Sequence, residues 1–86
     1  MKILMILEFA PGSTIHSRSR LTSNLTESGF VRLRGVSGAW VADECFDSVE
    51  EAKDALAEAA ASSRVAIHKA YLVEYNRYEV FSTWVR

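Results

Sequence analysis

Residues 27–43 read ESGFVRLRGVSGAWVAD, and no other stretch restricts the fold as much. Val31 and Leu33 alternate with Arg32 and Arg34, the period-two pattern of a strand. GVSG, residues 35–38, follows with two glycines able to adopt the positive φ that a short hairpin connection needs. A second strand then runs from Gly38 to Asp43 and carries Trp40. The spacing predicts strands over Phe30–Arg34 and Gly38–Asp43, with helical patterning on both sides. A hairpin entered from one helix and left into another places each helix between a hairpin strand and an outer strand.

The outer segments supply those strands. Ile3, Leu4, Met5, Ile6 and Leu7 form an unbroken apolar run within Lys2–Glu8, as in a central strand covered on both faces. Pro11 and Gly12 end it. From Ser13 to Ser28 the chain is rich in serine and threonine, weak helix formers, yet Leu21 and Leu25 share a helical face. Ser13 is placed to cap this helix and Gly29 to end it in the left-handed conformation. The second helix is capped by Asp47 or Ser48, with Glu50 or Glu51 completing a capping box. Its apolar face comprises Val49, Ala52, Leu56, Ala59 and Ala60. From Arg64 the period returns to two, with Val65, Ile67, Lys69, Tyr71, Val73 and Tyr75 on one face and Ala66, His68, Ala70, Leu72 and Glu74 on the other. Asn76-Arg77 is a candidate turn before a fifth strand in YEVFSTWVR. The fold class expected is α+β: one ferredoxin-like β-α-β-β-α-β sandwich over residues 1–86, with an extra C-terminal strand.

A chain of 86 residues that is 49% hydrophobic and 24% charged has the balance of an ordinary globule. No apolar run approaches the roughly 20 residues of a membrane span. The opening MKILMILEFAPG is too short an apolar stretch for a signal peptide, contains Glu8 and lacks a small-residue cleavage site. Cys45 is the single cysteine, which excludes an internal disulfide and a cysteine-based zinc site and fits a cytoplasmic setting. The net charge of −1 is unevenly spread: residues 1–42 carry +3, residues 43–63 carry −6 and residues 64–86 carry +2. A basic first half thus precedes an acidic second helix.

An arginine-bearing helix (SRSRLTSNLTESGF) running into VRLRGVSGAWVAD resembles one ferredoxin-like group: the small dimeric CRISPR-associated adaptation subunit and its relative, virulence-associated protein D. The C-terminal part of phenylacetate-type transcriptional repressors is similar. The resemblance implies a homodimer in which the fifth strand completes the partner's sheet. Tyr78, Val80, Phe81 and Trp84 would then form the interface. It also implies an acidic residue at the end of the first strand, facing its symmetry mate and able to hold magnesium. The matching residue is Glu8, where the family has aspartate. The extra methylene shifts the carboxylate by more than about 1 Å, and metal-assisted cleavage depends on placement of that order.

A second ferredoxin-like family, the RNA-recognition motif, competes through SGAWVADECFDSVEEAKDAL. Its strand aromatics stack on bases, but only Trp40 is available here, so Trp40 reads as a core or interface residue. His16 and His68 lack partners at metal-ligand spacing. APGST before the first helix is a turn with an N-cap rather than a phosphate loop. Arg18, Arg20, Arg32 and Arg34 suit either a phosphate backbone or the acidic helix of another subunit. The expected function is a homodimeric, non-catalytic adaptor that binds nucleic acid or protein and needs no cofactor. One alternative is a magnesium-dependent nuclease or toxin with Glu8 as catalytic metal ligand. The other is a phage-type docking inhibitor.

Overall fold

The computed structural model describes residues 1–77. Six elements follow in the order β1 (Lys2–Phe9), α1 (Ile15–Ser28), β2 (Val31–Arg32), β3 (Ala39–Asp43), α2 (Val49–Ser63) and β4 (Ile67–Tyr75). The sheet order is β2-β3-β1-β4, antiparallel at every junction. Each helix therefore crosses between two strands separated by a third, which is the ferredoxin-like α+β sandwich expected from the hairpin. The fifth strand and its interface residues Tyr78, Val80, Phe81 and Trp84 lie outside the described residues.

Both helices pack on one face of the sheet. Ile3, Met5 and Leu7 from β1, Trp40 and Ala42 from β3, Leu21 and Leu25 from α1, and Ala52, Leu56 and Ala59 from α2 form the core with Phe30, Phe46 and Val65. Phe30 and Phe46 meet at 5.1 Å between ring centroids. Ser63 is the polar member of this interior. Its hydroxyl donates to the Ala59 carbonyl at 2.7 Å and accepts from Asn24 Nδ2 at 2.8 Å, so it ties α1 to α2 with no unsatisfied atom.

The caps hold in kind with one shift in position. Thr14, not Ser13, caps α1, its hydroxyl accepting from the Ser17 amide, while Ser13 Oγ accepts from Arg18 Nε. Ser48 caps α2, accepting from the Glu51 amide. Glu51 reaches back to the Asp47 amide at 3.4 Å. Gly29 ends α1 at φ +110, and its amide bonds the Leu25 and Thr26 carbonyls. A Cβ at this position would meet Cys45 Sγ at 2.9 Å and Cys45 Cβ at 3.0 Å, so glycine is required twice over.

Three expectations need correction. The hairpin strands are shorter than their pattern: β2 is Val31–Arg32, because Phe30 turns into the core and Leu33 onward belongs to the loop. β1 is covered on one face only, since both helices take the same side and leave Ile6 exposed. In β4 the alternation changes phase. Glu8 pairs with Lys69 but Phe9 pairs with Ile67, leaving His68 as an extra residue in a β-bulge. Ile67 therefore faces the core together with Ala70 and Leu72, while Tyr71 and Val73 point away from it.

Candidate nucleic-acid interface

One corner of the molecule brings together two of the four candidate arginines, Arg18 and Arg32. The end of β1, the start of α1 and the connection from β2 to β3 enclose a groove of about 240 Å³. Phe9, Arg18, Thr22, Arg32, Ser37 and Trp40 are among its lining residues. Arg18 reaches it because α1 begins at Ile15, which places residue 18 in the first turn above the end of β1. Its guanidinium lies over the Phe9 ring, 4.9 Å from Cζ to centroid. Arg32 pairs with Trp40 across β2 and β3, on the helix side of the sheet, and its Cζ lies 5.8 Å from the Trp40 ring centroid. Each cation is thus laid on an aromatic face, which fixes the side chain without neutralising it.

Among the described residues no carboxylate lines this groove. The salt bridge found among the described residues joins the Met1 amine to Glu44 Oε2 at 2.6 Å, at the opposite end of β1. The first turn of α1 has no acidic residue either, so its N-terminal partial positive charge adds to that of the two guanidinium groups. Two arginines with no salt bridge among the described residues, the Ser37 hydroxyl and a helix N-terminus make a corner suited to an anion, while Thr22 Oγ1 donates to the Arg18 carbonyl at 3.0 Å.

The other candidates fall elsewhere. Arg34 lies in the loop after β2 and lines an adjoining depression with Arg32, Gly35, Val36 and Ser37. Arg20 turns away to the end of α2, where Nη2 approaches the Ser62 carbonyl at 3.5 Å. Glu8 stands exposed opposite Lys69. Among the described residues no group of three or more His, Cys, Asp and Glu side chains is placed to hold a metal ion. Trp40 is 4% exposed and faces the helices, which places it in the core and removes it as a base-stacking platform on the open sheet face. No helix among the described residues is long and apolar enough to cross a membrane.

Phe9, Thr22 and Ser37 were not singled out from the sequence. Only the i, i+4 relation of Arg18 and Thr22 hinted at a shared surface, and nothing local connects either residue to Phe9. The Met1–Glu44 contact was likewise hidden. It forms because Glu44 takes a left-handed conformation, φ +59, directly after β3, and its amide bonds the Met1 carbonyl at 2.9 Å.

Compared with known proteins, the chain matches no family model, no curated protein and no solved structure. What it shares with the adaptation-subunit group is the generic β-α-β-β-α-β layout.

Proposed function

We propose that this protein is a homodimeric, non-catalytic adaptor that binds nucleic acid through its phosphates. The observation that carries this reading is the groove in which Arg18 and Arg32 rest on Phe9 and Trp40 with no carboxylate beside them among the described residues. Arginine held flat on a ring keeps its fork of N–H donors available, and phosphodiester oxygens are its natural acceptors. An acidic protein segment would meet the same two cations with carboxylates in place of phosphates. The dimeric part of the reading rests on the apolar face of the sheet that no helix among the described residues covers. Against a nuclease stands the ammonium of Lys69 opposite Glu8, which repels a divalent cation at that carboxylate.

The test is fluorescence anisotropy with labelled single-stranded RNA, single-stranded DNA and duplex DNA across a salt series. The Arg18→Ala/Arg32→Ala variant is expected to bind at least about ten-fold more weakly, with the slope of log K against log salt reduced by roughly 2. Arg20→Ala should leave both unchanged, since Arg20 lies outside the groove. Absence of binding by the wild-type protein, or an equal loss from Arg20→Ala, refutes the assignment.

A further inference from the structure

The sheet face turned away from the helices carries a band of apolar side chains. Val31, Val41, Leu4 and Val73 are cross-strand neighbours in a row spanning all four strands. Ala39, Ile6 and Tyr71 form the next row. Ile6, Val31, Tyr71 and Val73 are 40%, 63%, 52% and 51% exposed, four of the six exposed large hydrophobic residues among those described. Such a concentration on one face marks an interaction surface. Lys2 stands on the same face at one end of β1, beside Asp43, and Glu8 at the other, beside Lys69, and among the described residues neither makes a salt bridge or a side-chain hydrogen bond.

We propose that a second copy of this chain covers this face, with the two β1 strands antiparallel and Lys2 of each copy facing Glu8 of the partner subunit. This rests on the dimeric part of the function proposed above. The spacing along β1 supplies the argument. Lys2 and Glu8 lie three residues either side of Met5, about 10 Å each way, and Leu4 and Ile6 lie one residue either side. A two-fold axis running across the strands at the level of Met5 therefore lays the Leu4 row of one copy on the Ile6 row of the other. The same rotation brings both Lys2–Glu8 pairs together, so apolar surface and charge are complementary in one register. A two-fold axis running along β1 instead sets Glu8 against Glu8 and Lys2 against Lys2, so neither gains an opposite charge across the interface. The sheet face measures roughly 20 Å by 23 Å, the small end of specific interfaces, so the dimer dissociates in the micromolar range.

The experiment is analytical ultracentrifugation of the full chain over a concentration series in the presence of a chelator. Far-UV circular dichroism confirms that each variant is folded. The wild-type protein is expected to dimerise. Lys2→Glu, Glu8→Lys and Glu8→Gln should each raise the dissociation constant about ten-fold, as for two ion pairs lost per dimer. The Lys2→Glu/Glu8→Lys double variant should dimerise more tightly than either charge-reversal variant alone. A wild-type protein that stays monomeric overturns both this register and the dimeric reading beneath it. A dimer that tightens in Glu8→Gln, or a double variant without rescue, overturns the register alone and leaves the dimer standing.

Discussion

Replacing Gly29 with alanine tests the local argument for the turn that feeds the hairpin. Gly29 sits at φ +110, where an L side chain is strained, and this costs about 1–2 kcal/mol. The added methyl group would also meet Cys45 Sγ at 2.9 Å and Cys45 Cβ at 3.0 Å, closer than real Cβ atoms approach. Cys45 is held by contacts to the Gly29 and Asp43 carbonyls, so relief requires the segment after β3 to move. Such overpacking adds about 1 kcal/mol or more. The total, about 2–3 kcal/mol, is a large part of the roughly 4–13 kcal/mol expected for a domain of this length. Gly12 provides the control, because it has φ +92 but nothing within 4 Å of a built Cβ. Gly12→Ala should lose only the backbone contribution. Urea unfolding, with midpoints compared at constant slope, measures both. Equal losses for the two variants would refute the steric half of the reasoning, and no loss in Gly29→Ala would refute all of it.

Two further predictions concern the interior and the N-terminus. Ser63→Ala should destabilise by about 1–2 kcal/mol by stranding the Asn24 amide, and Asn24→Leu in the same chain should recover part of that loss in urea unfolding. The Met1 amine is raised above its ordinary value, first by its hydrogen bond to Glu44, and Glu44 is lowered, first by the same bond. The contribution of this pair is therefore fully present near neutral pH. It is lost as pH falls through the lowered Glu44 value, and again as pH rises through the raised amine value. Thermal melts across pH should show both declines in the wild type, and both should shrink in Glu44→Gln.

The order of elements was readable because each was announced by local chemistry: an apolar run, a capping serine before acidic residues, a glycine at a helix end. The bulge at His68 was not, because an inserted residue leaves the alternation on each side intact and changes only their relation. The two-faced cover expected for β1 failed for a related reason. An apolar run records what residues tolerate, whereas the side chosen by the helices depends on the connections around the sheet. At the candidate groove, Arg18 and Arg32 were visible as basic residues, but their convergence is set by α1 folding back over the sheet. Phe9, which holds Arg18, was not singled out, and Trp40, which holds Arg32 and reads as a core or interface residue, is in the core.

The extra residue at His68 gives β4 two independent reading frames. On one side of it Ile67 answers to the core, and on the other the even positions do, while the odd ones meet whatever lies beyond the sheet. Deleting His68 would leave every side chain on its present face and make the ladder regular, whereas pairing all nine residues without a bulge would turn either Ile67 or the Ala70 and Leu72 pair away from the core. The bulge is thus a phase marker: it lets Ile67 and the Ala70 and Leu72 pair share the core although an odd number of positions separates them.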